Sequence, residues 1–152
     1  MSSSFHIRPA TRADVPRVYD LILELAEFER ERHQVQTTPA QLERDGFGET
    51  PLYSLLVAQE DGGEVIGLAL CYVRYSTWKG KRLWLEDLIV TEVARGRGVG
   101  TALLQAVIQH ARETDCTGLM WQVLRWNEPA KAFYAKFGAR FDEGWSNVGL
   151  EL

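Results

Sequence analysis

The chain predicts a mixed α/β domain built on one central sheet. Three observations predict it: alternating apolar segments at the start and in the middle, apolar stripes of helical period on either side of them, and a glycine-rich turn between a strand and a helix. Its 152 residues suit a single domain, 1–152, large enough to bury about two thirds of its unfolded surface. Hydrophobic residues make up 45% and charged residues 25%, ordinary for a soluble domain, and no apolar run approaches the roughly 20 residues of a membrane helix. No membrane partner is expected. A net charge of −4 disfavours a nucleic-acid partner held through its phosphates. The opening Met1-Ser2-Ser3-Ser4 leads into a strand without the apolar core of an export signal, so a cytoplasmic location is expected.

Phe5-His6-Ile7-Arg8 alternates as a strand and stops at Pro9. Thr11-x-x-Asp14 then offers a capping signal, and Val15, Val18, Ile22 and Leu25 recur at helical spacing, predicting a helix to about Arg30. Thr38-Pro39-Ala40-Gln41 combines a capping box with proline at the first helical position, and Gly46 stops this shorter second helix. Segments 52–60 and 64–75 read as antiparallel strands joined by Asp61-Gly62-Gly63. Leu83–Glu92 predicts a third long strand, and the helix after it carries Ala102, Leu103, Ala106, Val107 and His110 along one face. Leu119–Leu124 is the next strand. Asn127-Glu128-Pro129 opens a last helix with Ala130, Phe133 and Phe137 as its stripe and Gly138 as its cap. Trp145–Leu152 would add one or two strands. The sum is a mostly antiparallel sheet of six or seven strands flanked by about four helices.

Between the third long strand and its helix stands Arg95-Gly96-Arg97-Gly98-Val99-Gly100-Thr101. Glycines at this spacing let backbone N–H groups converge on one anion, and the helix aims its positive end at the same place. A nucleotide P-loop would need Lys and Ser/Thr after its last glycine, but Gly100 is followed by Thr101 and Ala102. The dinucleotide fingerprint needs a third glycine three residues after the second, where Thr101 or Leu103 stands instead. Arg-x-x-Gly-x-Gly remains. Neither Cys71 and Cys116 nor His6, His33 and His110 have metal-ligand spacing, so no metal is predicted.

This loop resembles the coenzyme A pyrophosphate loop of the GNAT acyltransferase superfamily. Ile7-Arg8-Pro9-Ala10-Thr11, Asp45-Gly46-Phe47-Gly48-Glu49, Leu85-Glu86-Asp87 and Trp126-Asn127-Glu128-Pro129 resemble its diamine acetyltransferases, a group that includes the spermidine/spermine and thialysine enzymes. The resemblance covers nearly the whole chain. It implies a GNAT fold, with a splay between two central strands that admits acetyl-CoA, and a homodimer. By motif, Leu88, Ile89 and Val90 face pantetheine and Arg95 to Thr101 hold the pyrophosphate. Asn127, Glu128, Pro129, Ala130 and Tyr134 close the other side.

Acyl transfer to an amine needs a neutral nitrogen, an oxyanion donor and a proton for the departing thiolate. With an amine pKa near ~10.4, neutrality at pH 7 costs roughly 4.6 kcal/mol. Glu86, acting through water, or Asp87 is the candidate base, and the Leu88 amide the candidate oxyanion donor. Adjacent strand residues face opposite ways, so both carboxylates reach one site only across a bulge, which the superfamily has at this strand. Tyr134 matches the family's general acid. Phe28, Glu29 and Trp78, with Glu86 and Asp87, match the amine-binding positions. Arg125, where the animal polyamine enzymes are expected to be acidic, and the end at Leu152 shift the expectation toward a shorter diamine or a lysine-like amino acid. The substrate expected is therefore a small primary amine, with acylation of a protein amine or a non-catalytic CoA-binding module as the competing readings.

Overall fold

The computed structural model describes residues 4–152, so Met1–Ser3 of the opening segment lie outside it. The chain forms two compact units, Met1–Trp121 and Gln122–Leu152. In the first, β1 (Phe5–Pro9), β2 (Ser54–Glu60), β3 (Val65–Ser76), β4 (Gly80–Val90) and β5 (Leu119–Met120) form one sheet in that spatial order. The first three pairings are antiparallel and β4–β5 is parallel. Helices α1 (Val15–Phe28) and α2 (Pro39–Phe47) come between β1 and β2, and α3 (Val99–Glu113) between β4 and β5.

Both capping signals form as the sequence predicts. Asp14 closes a box with Thr11 and also binds Arg8 through two hydrogen bonds of 2.8 and 2.9 Å, while the Gln41 N–H donates to the Thr38 hydroxyl at 3.2 Å. These contacts fix where the helices enter. Val18 and Leu21 of α1 then pack on Leu55, Val57, Leu68, Leu70 and Ile89, with Phe47 of α2 against the same cluster. Each fully buried side chain of this kind contributes about 1.5–3 kcal/mol. Gly67 lies on the other face of the sheet. A Cβ there would stand 3.1 Å from the Leu103 side chain, 3.3 Å from that of Val99 and 2.8 Å from the Ile89 carbonyl oxygen, so the first turns of α3 pack directly on the β3 backbone. The sheet is thus sandwiched between α1 with α2 and α3.

Two irregularities of β4 position the site. Leu70 pairs with Asp87 and Cys71 with Leu85, which leaves Glu86 as the extra residue of a bulge. Paired residues share a face, so Trp84 (opposite Tyr72) and Asp87 (opposite Leu70) both lie on the α1 side despite their odd separation. The second irregularity is the short reach of β5. It pairs only at Leu83 and Trp84, so from Leu85 to Val90 the strand has β3 as its one neighbour among the described residues. The expected splay needed a second strand running to about Leu124, and β5 stops at Met120, so what the structure shows is an unpaired edge of β4.

The sheet has five strands among the described residues, which corrects the expected six or seven. Leu119–Leu124 shortens to Leu119–Met120, and no strand forms in Trp145–Leu152. Val148, Leu150 and Leu152 alternate as a strand would, yet all three are exposed, and alternation makes a strand only where a neighbour offers a ladder. In the second unit α4 (Glu128–Ala135) starts at Asn127, whose side-chain oxygen accepts from the Ala130 N–H at 3.3 Å. Phe133 meets the rings of Tyr134 and Phe137 at 5.4 Å each, and Gly138 at φ +76° ends the turn. No helix among the described residues is long and apolar enough to cross a membrane.

Candidate active site

Three carboxylates converge where the end of α1 meets the bulge of β4. Burial, reinforced by the charges of Glu86 and then Glu29, pushes the Asp87 carboxyl up to about 7. Glu29 is raised in turn by its own burial and by Glu31. It is held by the way α1 ends: the Arg30 N–H donates to the Glu27 carbonyl and the Glu31 N–H to that of Ala26, a Schellman closure. Arg30 takes the left-handed position usually given to glycine, at φ +62°. Glu86, exposed, accepts at Oε2 from the Trp84 indole N–H at 2.8 Å and from the Tyr72 hydroxyl at 3.2 Å. A carboxyl titrating near neutrality beside a second, firmly oriented carboxylate can take a proton from an amine.

The glycine loop lies beyond the far end of the same strand. Gly96 and Gly98 adopt φ +77° and +81°, and nothing lies within 4 Å of where a Cβ would project at either. The first intrahelical bond of α3 runs from the Ala102 N–H to the Gly98 carbonyl, so the N–H groups of Val99, Gly100 and Thr101 have no partner within the helix. The backbone here is an open cradle of donors, suited to a pyrophosphate. Its two arginines point away from one another. Arg97 pairs with Glu60 at 2.7 Å and ties the loop to β2, while Arg95 donates to the Val90 carbonyl at 3.1 Å and stacks over the Phe28 ring at 5.4 Å. Arg95 and Phe28 therefore link the cradle to the helix end that carries Glu29. Leu88, Ile89 and Val90 lie on the part of β4 that β5 leaves unpaired, and Ile89 turns its side chain into the core.

Of the residues predicted from sequence, the structure gathers Phe28, Glu29, Glu86, Asp87 and Arg95 around one end of β4. It does not bring Trp78 to them: that side chain sits at the tip of the β3–β4 hairpin, 84% exposed, roughly 20 Å along the strand from Glu86. Asn127, Glu128, Pro129, Ala130 and Tyr134 all fall in the second unit, where Asn127 caps α4 and Tyr134 is buried beside Phe133. Sequence reasoning missed Tyr72, Trp84 and Glu24. Glu24 accepts from the Thr91 hydroxyl at 3.0 Å and from the Glu92 N–H at 2.9 Å, fixing the turn that leads into the cradle. Tyr72 and Trp84 could have been found by pairing the hairpin outward from its Ser76–Gly80 turn, which sets them opposite each other.

A profile of the acetyltransferase (GNAT) family matches residues 15–139. Among curated proteins, the thialysine N-epsilon-acetyltransferase of Bos taurus is 40% identical over 91% of this chain and 88% of its own length. The spermidine/spermine N(1)-acetyltransferase-like protein 1 of Homo sapiens is 37% identical over 93% of this chain, which corresponds to 22% of that longer protein. Among solved structures, a mutant of the BH1408 protein of Bacillus halodurans superimposes with a TM-score of 0.80 at 23% identity, covering 96% of this chain and 99% of its own. That likeness is one of fold.

Proposed function

From the premise that this chain belongs to the acetyltransferase (GNAT) family and is an acetyltransferase, we propose that it transfers acetyl from acetyl-CoA to the primary amine of a small molecule by direct attack on the thioester. The observation that carries the reading is Asp87, raised to about 7 on a bulge beside Glu86 and Glu29 and lying on the same strand that leads to the anion cradle. The cradle at Gly96–Thr101 holds the pyrophosphate, and the unpaired edge of Leu88–Val90 receives the polyamide arm as an added strand. The Leu88 amide stabilises the oxyanion.

In this reading the substrate ammonium gives one proton to Asp87 and becomes the neutral nucleophile; its nitrogen then bonds to the acetyl carbon, the carbon–sulfur bond breaks, and the second nitrogen proton leaves to water as the amide forms. Glu86 orients the incoming amine, and Glu29 attracts a cationic group elsewhere on the substrate. Tyr134, whose phenol can donate, supplies the proton taken by the thiolate. The enzyme works as a homodimer.

Thiol release from acetyl-CoA, measured against putrescine, spermidine, thialysine, lysine and a basic peptide, tests the reading. Turnover of a small amine with Tyr134→Phe slowed at least about 10-fold is expected. Peptide as the sole acceptor, or tight CoA binding with no turnover, would overturn it.

A further inference from the structure

Between β4 and the glycine loop the backbone makes a single 3₁₀ turn, Glu92–Ala94. Thr91 belongs to the structures on both sides of it. Its N–H donates to the Ile66 carbonyl at 2.9 Å, the last rung toward β3, and its carbonyl accepts from the Ala94 N–H at 3.0 Å, the first bond of the turn. The Arg95 N–H then closes on the Glu92 carbonyl at 3.2 Å, and Gly96 opens the cradle. This turn is all that separates the unpaired edge of β4 from the anion site. On its own it is a weak spacer, since a 3₁₀ run has poor hydrogen-bond geometry.

Its stiffness comes from α1. The Thr91 hydroxyl lies 3.0 Å from Glu24 Oε2 and 3.2 Å from Oε1, and the Glu92 N–H donates to Oε1 at 2.9 Å. Thr91 does not cap its own turn with its side chain, so a carboxylate 68 residues earlier caps it instead. One helical turn after Glu24, Phe28 lies under the Arg95 guanidinium at 5.4 Å, and α1 thereby grips the turn at both ends. Beyond the turn, Arg97 ties the loop to Glu60 of β2 at 2.7 Å. Glu92 is exposed, so water can satisfy its N–H once the carboxylate is gone. Water cannot replace the fixed spacing between strand edge and cradle.

Coenzyme A has to span that spacing. Its pyrophosphate and polyamide arm are covalently joined, so each half binds at an effective concentration set by how well the two subsites are aligned. We propose that Glu24 is a positioning residue for the cofactor: by clamping Thr91 and Glu92 to α1 it holds the cradle in register with the edge at Leu88–Val90, so that one molecule of acetyl-CoA fills both. It acts through the turn and not on the cofactor itself. This rests on the acetyl-CoA reading above and names a residue that preorganises that site.

The test separates the two halves. CoA, which reaches both subsites, and 3′-phospho-ADP, which carries the pyrophosphate without the arm, are titrated calorimetrically into wild type, Glu24→Ala, Glu24→Gln and Thr91→Val, with a thermal melt of each. The readout is the ratio of the two affinities, which a loss of fold or of the cradle alone would not move. Glu24→Ala is expected to lower the preference for CoA by about 10- to 100-fold, the worth of hydrogen bonds to a charged group, with 3′-phospho-ADP binding changed by less than about 3-fold. Glu24→Gln keeps an oxygen for the Glu92 N–H and should recover most of the preference. Thr91→Val removes the hydroxyl while keeping the shape, and should lower the preference by at least about 3-fold even if Glu24→Ala fails to fold. A ratio unchanged in the variants that fold, whether or not both affinities fall together, would overturn the proposal and leave the cofactor reading standing. Failure of wild type to bind CoA would remove that reading, and this proposal with it.

Discussion

At the scale of single residues, Asp87 is the proposed base, and its buried carboxyl weakens the fold. Its folded pKa of about 7 stands above the ~3.9 of an unfolded aspartate, so between those values the native state binds the proton more tightly. Stability therefore falls as pH rises from about 4 to about 7, and the full penalty is present above that. Asp87→Asn is expected to raise stability at pH 8 by about 1–3 kcal/mol in urea denaturation while removing most of the turnover. In wild type, kcat/KM should climb through an apparent pKa near 7 to an alkaline plateau. Since Glu29 is one of the charges that raise Asp87, Glu29→Gln should move this rise to lower pH in the same pH–rate experiment. The motif Leu85-Glu86-Asp87 made both carboxylates visible in the sequence, but alternation alone would have put them on opposite faces. Only the cross-strand register reveals that Glu86 is the inserted residue, and which of the two is buried follows from where α1 packs.

At the scale of elements, what was legible was whatever is encoded locally. Thr11 with Asp14 and Thr38 with Gln41 announce two helices by hydrogen bonds within four residues, and both form. The Arg8–Asp14 pair extends the first cap to β1 and holds the Asp14 carboxyl below the usual carboxylate range, chiefly by the Arg8 hydrogen bonds. A depressed folded pKa stabilises above the unfolded value and is lost as pH falls through the folded one, so this contribution is present at neutral pH and disappears in acid. Asp14→Ala should cost about 1–3 kcal/mol at pH 7, and the difference from wild type should shrink in acid melts. The loop is equally local: Gly98→Ala, forced to φ +81° and filling open space in the cradle, should lose about 1–2 kcal/mol and raise the KM for acetyl-CoA at least about 10-fold. What was not legible depends on partners distant in sequence. Val148, Leu150 and Leu152 carry a strand's alternation without a ladder, and Trp78 carries a motif match at a hairpin tip away from the carboxylates.

At the scale of the whole molecule, the proposed homodimer predicts a mass of twice the 17.3 kDa chain in sedimentation equilibrium at micromolar concentration, with a single 17.3 kDa species as the contrary result. The sheet joins its two helix layers to a strand whose halves have different work. Toward Val90 the strand leaves one edge unpaired among the described residues; toward Gly80 it carries Arg82 and Trp84, opposite Arg74 and Tyr72. Glu86 separates them, and as an inserted residue it resets the alternation between the two halves. Such a seam uncouples the packing of the two halves. Side chains at 72, 74, 82 and 84 can therefore change while the ladder at Leu88–Val90 keeps its register, so variation on the outer half of the hairpin leaves the strand beside the cradle in place.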